Sequence, residues 1–173
     1  MPPGPVGEAQ GDPDVAFRLF GDWQDPAPEA GAAVYALDAR GRVLMQLRDD
    51  VDGLPAAGEW SPFGGGVEKG ETLRQAAARE FAEEVGLDLP LTAFRPYARA
   101  LSRRGIRPRL YTYLTLFEGA PDRIRLGEGA GFAFLTPRQL RQVPLAQGLA
   151  AATLHLAERL DAGLSPARIF QDG

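Results

Sequence analysis

Three glutamates, Glu80, Glu83 and Glu84, are spaced so that their side chains can act together on one ion. In an α-helix, residues three and four positions apart share a face, so these carboxylates fall within about one turn. Adjacent anions repel one another, and a cation between them removes that cost. Oxygen ligands suit hard ions such as Mg²⁺ or Mn²⁺. The spacing therefore predicts a divalent-metal site on this helix.

A glycine triplet at 64–66 precedes the glutamates. Glycine lets the backbone approach a ligand closely, so a carbonyl from this loop is a further candidate metal ligand. Alone, such a triplet is typical of a turn, and a glutamate-rich helix is typical of a solvated face. The combined spacing of the two features favours a functional site.

This spacing resembles the Nudix box: glycine, five residues, glutamate, seven residues, then Arg-Glu-aliphatic-x-Glu-Glu-x-Gly-aliphatic. The matching residues are Gly65, Glu71, Arg79, Glu80, Phe81, Glu83, Glu84, Gly86 and Leu87. Every fixed polar or glycine position fits, and Phe81 departs only in being larger than the usual aliphatic residue. Element order extends the likeness over roughly residues 30–161.

The resemblance implies an α/β/α sandwich, with a mixed sheet between two principal helices. It also implies Mg²⁺-dependent hydrolysis of a pyrophosphate linkage in a nucleoside-diphosphate derivative. By position, Glu80, Glu83 and Glu84 are the implied metal ligands, with a carbonyl of Gly64 or Gly65. Two further box residues complete the implied site: Glu71 has a supporting role, and Arg79 either fixes Glu83 one turn on or contacts phosphate.

The general base has three candidates. Glu128 lies in a glycine-rich segment before a predicted strand, where members of the family often carry a metal-binding or basic acid. It is equally well interpreted as a surface glutamate. Glu80 or Glu83 is the alternative base.

Substrate-binding candidates lie around the box. Arg48, at the end of a predicted strand, either touches a phosphate or forms a surface salt bridge. The aromatic candidates for stacking on a base also fit core positions on strands: Trp60, Phe63, Tyr111 and Tyr113. The arginine cluster at 103–109 is interpreted as a solvated hairpin tip that can also steer an anion. His155, the sole histidine, is predicted to be a partly exposed helix residue.

Composition narrows the class of protein. The 173 residues suit one domain with its own core, and a net charge of −4 disfavours a broad surface for nucleic acid or anionic lipid. An acidic protein that binds an anionic substrate needs a bridging cation. The lack of cysteine excludes disulfides and fits a reducing cytoplasm. No apolar run approaches the ~18 residues of a membrane-spanning helix.

The elements that must position the site follow from periodicity and turn signals. Residues 1–14 are predicted to be a disordered tail and 15–173 a single domain. The first helix is predicted over 72–85, with a capping box at its start and Gly86 at its end, and the second over 146–161. Strands are predicted at 32–37, 42–47, 92–101, 110–117 and 132–135, a short one at 124–126, and an edge strand or short helix within 15–23.

Several functions stay open. Arg103 stands where ADP-ribose types tend to have proline, which leaves nucleoside or deoxynucleoside triphosphates and nucleotide sugars as the main candidate substrates. Of these we favour the triphosphates, with a nucleotide sugar or an ADP-ribose type as the alternative. A non-catalytic nucleotide-binding module is the alternative of another class, although such a module is expected to lose a box carboxylate. Processing of RNA 5′ ends is disfavoured by the acidic balance. Homodimers are common in the family, but no surface in this sequence indicates one.

Overall fold

The computed structural model describes residues 11–50, 52, 57–103, 107–127 and 129–173, which fold into eight strands and four α-helices. The strands are β1 (Arg18–Leu19), β2 (Ala30–Leu37), β3 (Val43–Leu47), β4 (Trp60–Ser61), β5 (Phe63–Gly66), β6 (Arg95–Leu101), β7 (Arg109–Leu116) and β8 (Gly131–Leu135). The helices are α1 (Leu73–Val85), α2 (Pro137–Leu140), α3 (Ala150–Asp161) and α4 (Pro166–Asp172).

One mixed sheet joins all of these strands, and β2 lies at its centre. β2 pairs in parallel with β7 and antiparallel with β3 and β5. β6 and β1 continue the sheet beyond β7, while β4 and β8 pair with β3. The β2 sequence AGAAVYAL carries no charged residue, as expected of a strand covered on both faces.

Successive residues of β2 point into two separate cores. Val34 lies in the core beneath α1 with Phe81, whereas Tyr35 and Leu37 lie in the opposite core with Leu156 of α3. This alternation is the two-residue period of a strand. The predicted α/β/α sandwich with a mixed sheet between two principal helices is confirmed.

Phe81 fills the core that docks α1 on the sheet. Its ring is fully buried and lies edge-on to Phe94, with 6.1 Å between ring centroids. Burying such a side chain stabilises the fold by about 1.5–3 kcal/mol. The larger residue at this box position is therefore accommodated by packing in the core between α1 and the sheet.

The ends of α1 follow the predicted signals. The Thr72 side chain accepts a hydrogen bond from the Gln75 amide (3.2 Å), and Gln75 Oε1 accepts one from the Thr72 amide (2.8 Å). Gly86 adopts the left-handed conformation, with φ of 79°, where glycine avoids the strain of a Cβ. The capping box and glycine stop are both confirmed.

Two predictions about strands need correction. The strand predicted at 92–101 begins only at Arg95, because Leu91–Ala93 forms a 3-10 turn, and a register shift follows Pro96, which has no amide hydrogen to donate. The strand predicted at 124–126 is wrong. There the amides of Arg125 and Gly127 donate to the Val85 and Glu84 carbonyls at the end of α1. The short helices α2 and α4 were not predicted.

The segment predicted as a tail falls partly within the described residues. Residues 1–10 lie outside them, but at 11–14 Asp12 contacts Arg74 and Tyr113, and Asp14 contacts Tyr111. The predicted boundary at residue 15 thus falls inside a segment that packs on the sheet. That residues 15–173 form a single domain stays a prediction. None of the helices in the described part of the chain has the length and apolar character needed to cross a membrane.

His155 links α3 to β1 and β6. Its Nε2 lies 3.0 Å from Arg18 Nη1, and its Nδ1 lies 2.7 Å from the Tyr97 hydroxyl. A guanidinium only donates hydrogen bonds, so Nε2 accepts, and the ring is neutral with its proton on Nδ1. Burial, together with the charges of Arg18 and Arg159, lowers the pKa of His155, and Glu158 opposes them. The predicted partly exposed helix position is confirmed.

Stability is expected to fall as the pH drops below about 6.5, the ordinary pKa of histidine. The unfolded chain takes up a proton on His155 before the folded chain does, so protonation favours unfolding until the pH passes the lowered folded pKa. Above pH 6.5 this contribution is fully present. Urea unfolding of wild type and His155→Gln at pH 7.5 and 5.5 measures the effect. Equal losses of unfolding free energy in both proteins would contradict it.

Candidate active site

The glycine strand β5 and helix α1 bring the box residues together. β5 pairs with β2, with Gly64 opposite Ala33 and Gly65 opposite Ala32. α1 packs across these strands, and the Gly64 amide donates to Glu84 Oε2 (3.1 Å). The Glu84 residue is only 6% exposed, so this backbone donor holds a carboxylate that has been largely removed from water.

Gly64 and Gly65 are glycines because nothing larger fits. A Cβ on Gly64 would lie 2.2 Å from the Ala32 carbonyl oxygen and 2.5 Å from the Ala33 Cα. A Cβ on Gly65 would lie 2.4 Å from Glu80 Oε1. The Glu80 carboxylate therefore occupies the space of the missing side chain, directly against the backbone of β5.

Arg79 is the cation among the box residues. Its Nε donates to Glu71 Oε1 (2.6 Å) and its Nη2 to Glu71 Oε2 (3.0 Å), a bidentate pair. Nη1 contacts Glu80 at 2.8 Å and Glu83 at 3.4 Å, and Nη2 also donates to the Gly66 carbonyl (2.9 Å). One guanidinium thus joins the turn after β5 to the carboxylate face of α1.

The ion pair between Arg79 and Glu71 shifts the pKa of each partner so that its charged form is favoured. The hydrogen bonds from Arg79 hold the pKa of Glu71 below its usual value, although partial burial opposes them. The hydrogen bond to Glu71, and after it the contact with Glu80, raises the pKa of Arg79 against the opposing effect of burial. Both groups are ionised at neutral pH, as a rigid bidentate pair requires.

The three glutamates differ in exposure. The side chain of Glu80 is 14% exposed and that of Glu83 is 59% exposed, while Glu84 is buried. Glu80 and Glu84 face β5, whereas Glu83 is open to solvent. The helix therefore presents two sheltered carboxylates and one accessible carboxylate on one face, as their spacing predicted.

The residues fit a hard divalent cation in the chemistry of their donor atoms. The carboxylates of Glu80, Glu83 and Glu84 and the carbonyls of β5 offer only oxygen, the donor that Mg²⁺ prefers. The close approach of Glu80 to Gly65 brings a carboxylate and a carbonyl-bearing backbone side by side. Within the described ranges, no group of three His, Cys, Asp or Glu side chains is arranged so that it could hold a metal ion. Arg79 instead forms ion pairs with Glu80 and Glu83.

A cavity of about 390 Å³ adjoins β5. Its lining includes Gly64 to Gly66, Arg48, Glu59 and residues 146–149. Arg48 is thus a cationic residue that lines the same cavity as the glycine strand. Glu59 and the 146–149 segment were not predicted, because they reach the cavity through strand pairing and an isolated bridge between Trp60 and Leu145, which no local pattern reveals.

The four aromatic candidates differ in burial and in whether they line the cavity. Phe63 and Tyr113 are both 0% exposed and lie in the core beneath α1, so neither offers a ring for stacking. Trp60 packs against the opposite core and is not among the residues that line the cavity. Tyr111 lines the cavity but is only 2% exposed. The prediction that Phe63 stacks on a base therefore needs correction, because its position on β5 points inward.

Glu128 lies outside the described residues. Its described neighbours are anchored on two elements: the Gly127 amide donates to the Glu84 carbonyl (3.0 Å), and the Ala130 amide donates to the Leu47 carbonyl (3.0 Å). The segment on either side of position 128 therefore runs from the end of α1 to the end of β3. The role of Glu128 as base stays a prediction.

The comparisons with known proteins agree on one protein family. The NUDIX domain family model matches residues 27–156. The chain is 44% identical over 69 residues to nucleoside triphosphatase NudI of Enterobacter sp. (strain 638), covering 40% of this chain and 45% of that protein. It is 51% identical over 47 residues to an oxidized purine nucleoside triphosphate hydrolase of Danio rerio, covering 27% of this chain and 28% of that protein. These matches thus span less than half the length of either relative.

A solved structure shares the fold. It is a bifunctional NMN adenylyltransferase/ADP ribose pyrophosphatase from Francisella tularensis, complexed with AMP and a Mn ion. The TM-score is 0.58 at 19% identity, covering 77% of this chain and 42% of that chain. At this identity, the likeness concerns the fold alone.

Proposed function

The chain belongs to the Nudix family, and on that premise we propose that it hydrolyses a pyrophosphate linkage in a nucleoside-diphosphate derivative, with Mg²⁺ as cofactor. The observation that carries this proposal is the convergence of Glu80 and Glu84 on the glycine backbone of β5. This arrangement brings two carboxylates against the backbone of β5, which also lines the neighbouring cavity.

Glu80, Glu83 and Glu84, with the carbonyl of Gly64 or Gly65, are the proposed metal ligands. A bound divalent ion supplies charge neutralisation of the diphosphate and lowers the pKa of the attacking water. The Mn ion in the structurally similar bifunctional protein is compatible with a divalent ion in this fold, and Mn²⁺ is a candidate substitute.

The protein's own residues orient these ligands. The Gly64 amide fixes Glu84, and Arg79, itself held by Glu71, fixes Glu80. The contact from Arg79 to Glu83 is longer, at 3.4 Å, which leaves Glu83 free to adjust when substrate binds. We therefore assign Arg79 and Glu71 to positioning the carboxylates rather than to contacting phosphate.

Glu83 is our leading candidate for accepting the proton of the attacking water. Its carboxylate is the most exposed of the three, and its contact with Arg79 (3.4 Å) is longer than that of Glu80 (2.8 Å). A general base must reach the water whose proton it removes, and the accessible carboxylate meets this requirement better than the sheltered ones. Glu80 and Glu128 stay the alternatives.

A nucleoside or deoxynucleoside triphosphate is the favoured substrate. The names of both relatives describe nucleoside triphosphate hydrolysis, and the cavity of about 390 Å³ falls in the usual size range of small-molecule sites. Arg48 lines this cavity beside the glycine strand, where it can contact a phosphate. Trp60, the first residue of β4, does not line this cavity, and its contact with a base stays a prediction.

A nucleotide sugar or an ADP-ribose-type compound is the second candidate substrate, favoured by the ADP ribose pyrophosphatase activity named for the structural neighbour. A non-catalytic binding module is disfavoured, because all of the box carboxylates are present. We place the reaction in a reducing cytoplasm, since the chain has no cysteine.

A substrate panel tests the proposal. Purified protein is incubated with canonical and oxidised nucleoside triphosphates, nucleotide sugars, ADP-ribose and capped RNA, with Mg²⁺, with Mn²⁺ and with chelator. We expect metal-dependent release of pyrophosphate or phosphate, fastest with a triphosphate. Nucleotide binding without turnover of any compound would instead indicate a binding module, and preferential cleavage of capped RNA would reject the substrate class.

A further inference from the structure

The segment before β1 carries an acidic side chain that joins α1 to the sheet. Asp12 accepts two hydrogen bonds from Arg74, from Nε at 2.9 Å and from Nη2 at 2.8 Å. The Tyr113 hydroxyl of β7 donates to the same carboxylate at 2.8 Å. We call residues 11–17 the strap. Through Asp12, the strap connects the first turn of α1 to a central strand.

The strap has a second anchor, which does not involve α1. Phe17 is 3% exposed and lies edge-on to the rings of Tyr111 and Tyr113, with centroids 5.1 and 5.3 Å away. Asp14 accepts a hydrogen bond from the Tyr111 hydroxyl (2.8 Å). Burial of Phe17 therefore holds the strap on the sheet, while Asp14, whose side chain is 51% exposed, contributes little, so Asp12 is presented to Arg74 from a base that does not depend on Asp14.

Asp12 acts on the helix that carries the proposed metal ligands. Arg74 and Glu80 are six residues apart on α1, which corresponds to about 9 Å along the axis. A helix transmits a tilt at its first turn to the later turns, because its backbone hydrogen bonds make it stiff. The position of Glu80 leaves little tolerance for such a tilt, since its carboxylate lies directly against Gly65.

We propose that Asp12 is a positioning residue for the proposed hydrolysis, holding α1 at the orientation in which Glu80 and Glu84 meet the backbone of β5. The proposal rests on the proposed function for its catalytic consequence, but its structural part concerns α1 alone. The contacts through which Asp12 acts are those with Arg74 and Tyr113.

A carboxylate suits this position better than an amide. Partial burial would raise the pKa of Asp12, but the hydrogen bonds from Arg74 and Tyr113 outweigh it and leave the pKa below its usual value. The group is therefore ionised at neutral pH and accepts from both guanidinium nitrogens. Asparagine offers one oxygen and would turn an NH₂ group toward Arg74, so Asp12→Asn should already lose part of the effect.

The test compares Asp12→Ala with Asp14→Ala, a matched control in the same strap whose hydrogen bond goes to Tyr111 rather than to α1. For Asp12→Ala we expect kcat to fall about tenfold with KM changed less than about threefold, because a small misplacement of catalytic groups is costly. Affinity for Mn²⁺, measured by electron paramagnetic resonance of the free ion without substrate, should fall about fivefold. Amide hydrogen exchange of α1 should become faster.

Tyr113→Phe, which removes only one of the hydrogen bonds to Asp12, should give a smaller change in each measurement.

Two outcomes would overturn the proposal. The first is equal kcat, Mn²⁺ affinity and α1 exchange in Asp12→Ala and Asp14→Ala. The second is a lower melting temperature in Asp12→Ala while its kcat, Mn²⁺ affinity and α1 exchange at 25 °C all match those of wild type. If the wild type hydrolyses no nucleotide, the proposed function fails separately. Mn²⁺ affinity and α1 exchange would then still decide whether Asp12 positions the helix.

Discussion

Glu83→Gln is expected to lower kcat by about 10²- to 10³-fold, with little change in the free energy of unfolding. The substitution keeps the shape of the side chain but removes a charge proposed to hold the metal and accept a proton. The Glu83 side chain is 59% exposed and contacts Arg79 only at 3.4 Å, so the fold depends little on it. Steady-state turnover at saturating Mg²⁺, with urea unfolding of the same preparation, measures both quantities.

Glu158→Gln is the matched control for this substitution. Glu158 is exposed on α3, which packs on the face of the sheet opposite α1, so the same chemical change there should leave kcat within about twofold. Turnover of Glu83→Gln at the wild-type rate would refute both proposed roles of Glu83. A large loss in both variants would show that the effect comes from net charge rather than from the site.

Alanine substitutions at the three glycines of 64–66 should differ in their effects on stability and kcat. Gly64→Ala places a Cβ 2.2 Å from a backbone oxygen of β2, which cannot move aside alone, so we expect destabilisation of about 3 kcal/mol. Gly65→Ala meets the carboxylate of Glu80, which can rotate away. Its cost in stability should be about 1 kcal/mol, but kcat should fall about 10²-fold because a proposed metal ligand is displaced.

Gly66→Ala provides the internal control, since a Cβ there meets no atom within 4 Å and the contact from Arg79 is to the backbone carbonyl. Its stability should stay within about 0.5 kcal/mol of wild type. Thermal and urea unfolding, together with turnover, separate the three effects. A stable Gly64→Ala, or a Gly65→Ala with full activity, would contradict the close approach of β5 to its neighbours.

The sequence alone determined the features that depend on local geometry. The period of an α-helix places Glu80, Glu83 and Glu84 on one face wherever the helix lies, and the capping signals at Thr72 and Gly86 fix its ends. The apolar, uncharged run of β2 likewise indicates a strand. These features need no knowledge of distant residues, which is why the family, the sandwich and the main helices could be predicted.

The tertiary structure decided which side chains meet across long separations. Local spacing predicted that Arg79 would pair with Glu83, but its bidentate partner is Glu71, which the turn after β5 carries back onto α1. The sequence leaves Phe63 as a candidate for base stacking or for the core, and only the pairing of the sheet places its ring in the core. The sequence predicts Asp12 to lie in a disordered tail, whereas in the structure it contacts Arg74. Such contacts depend on how strands pair and helices dock, because hydrophobic burial fixes the relative positions of elements that no local period relates.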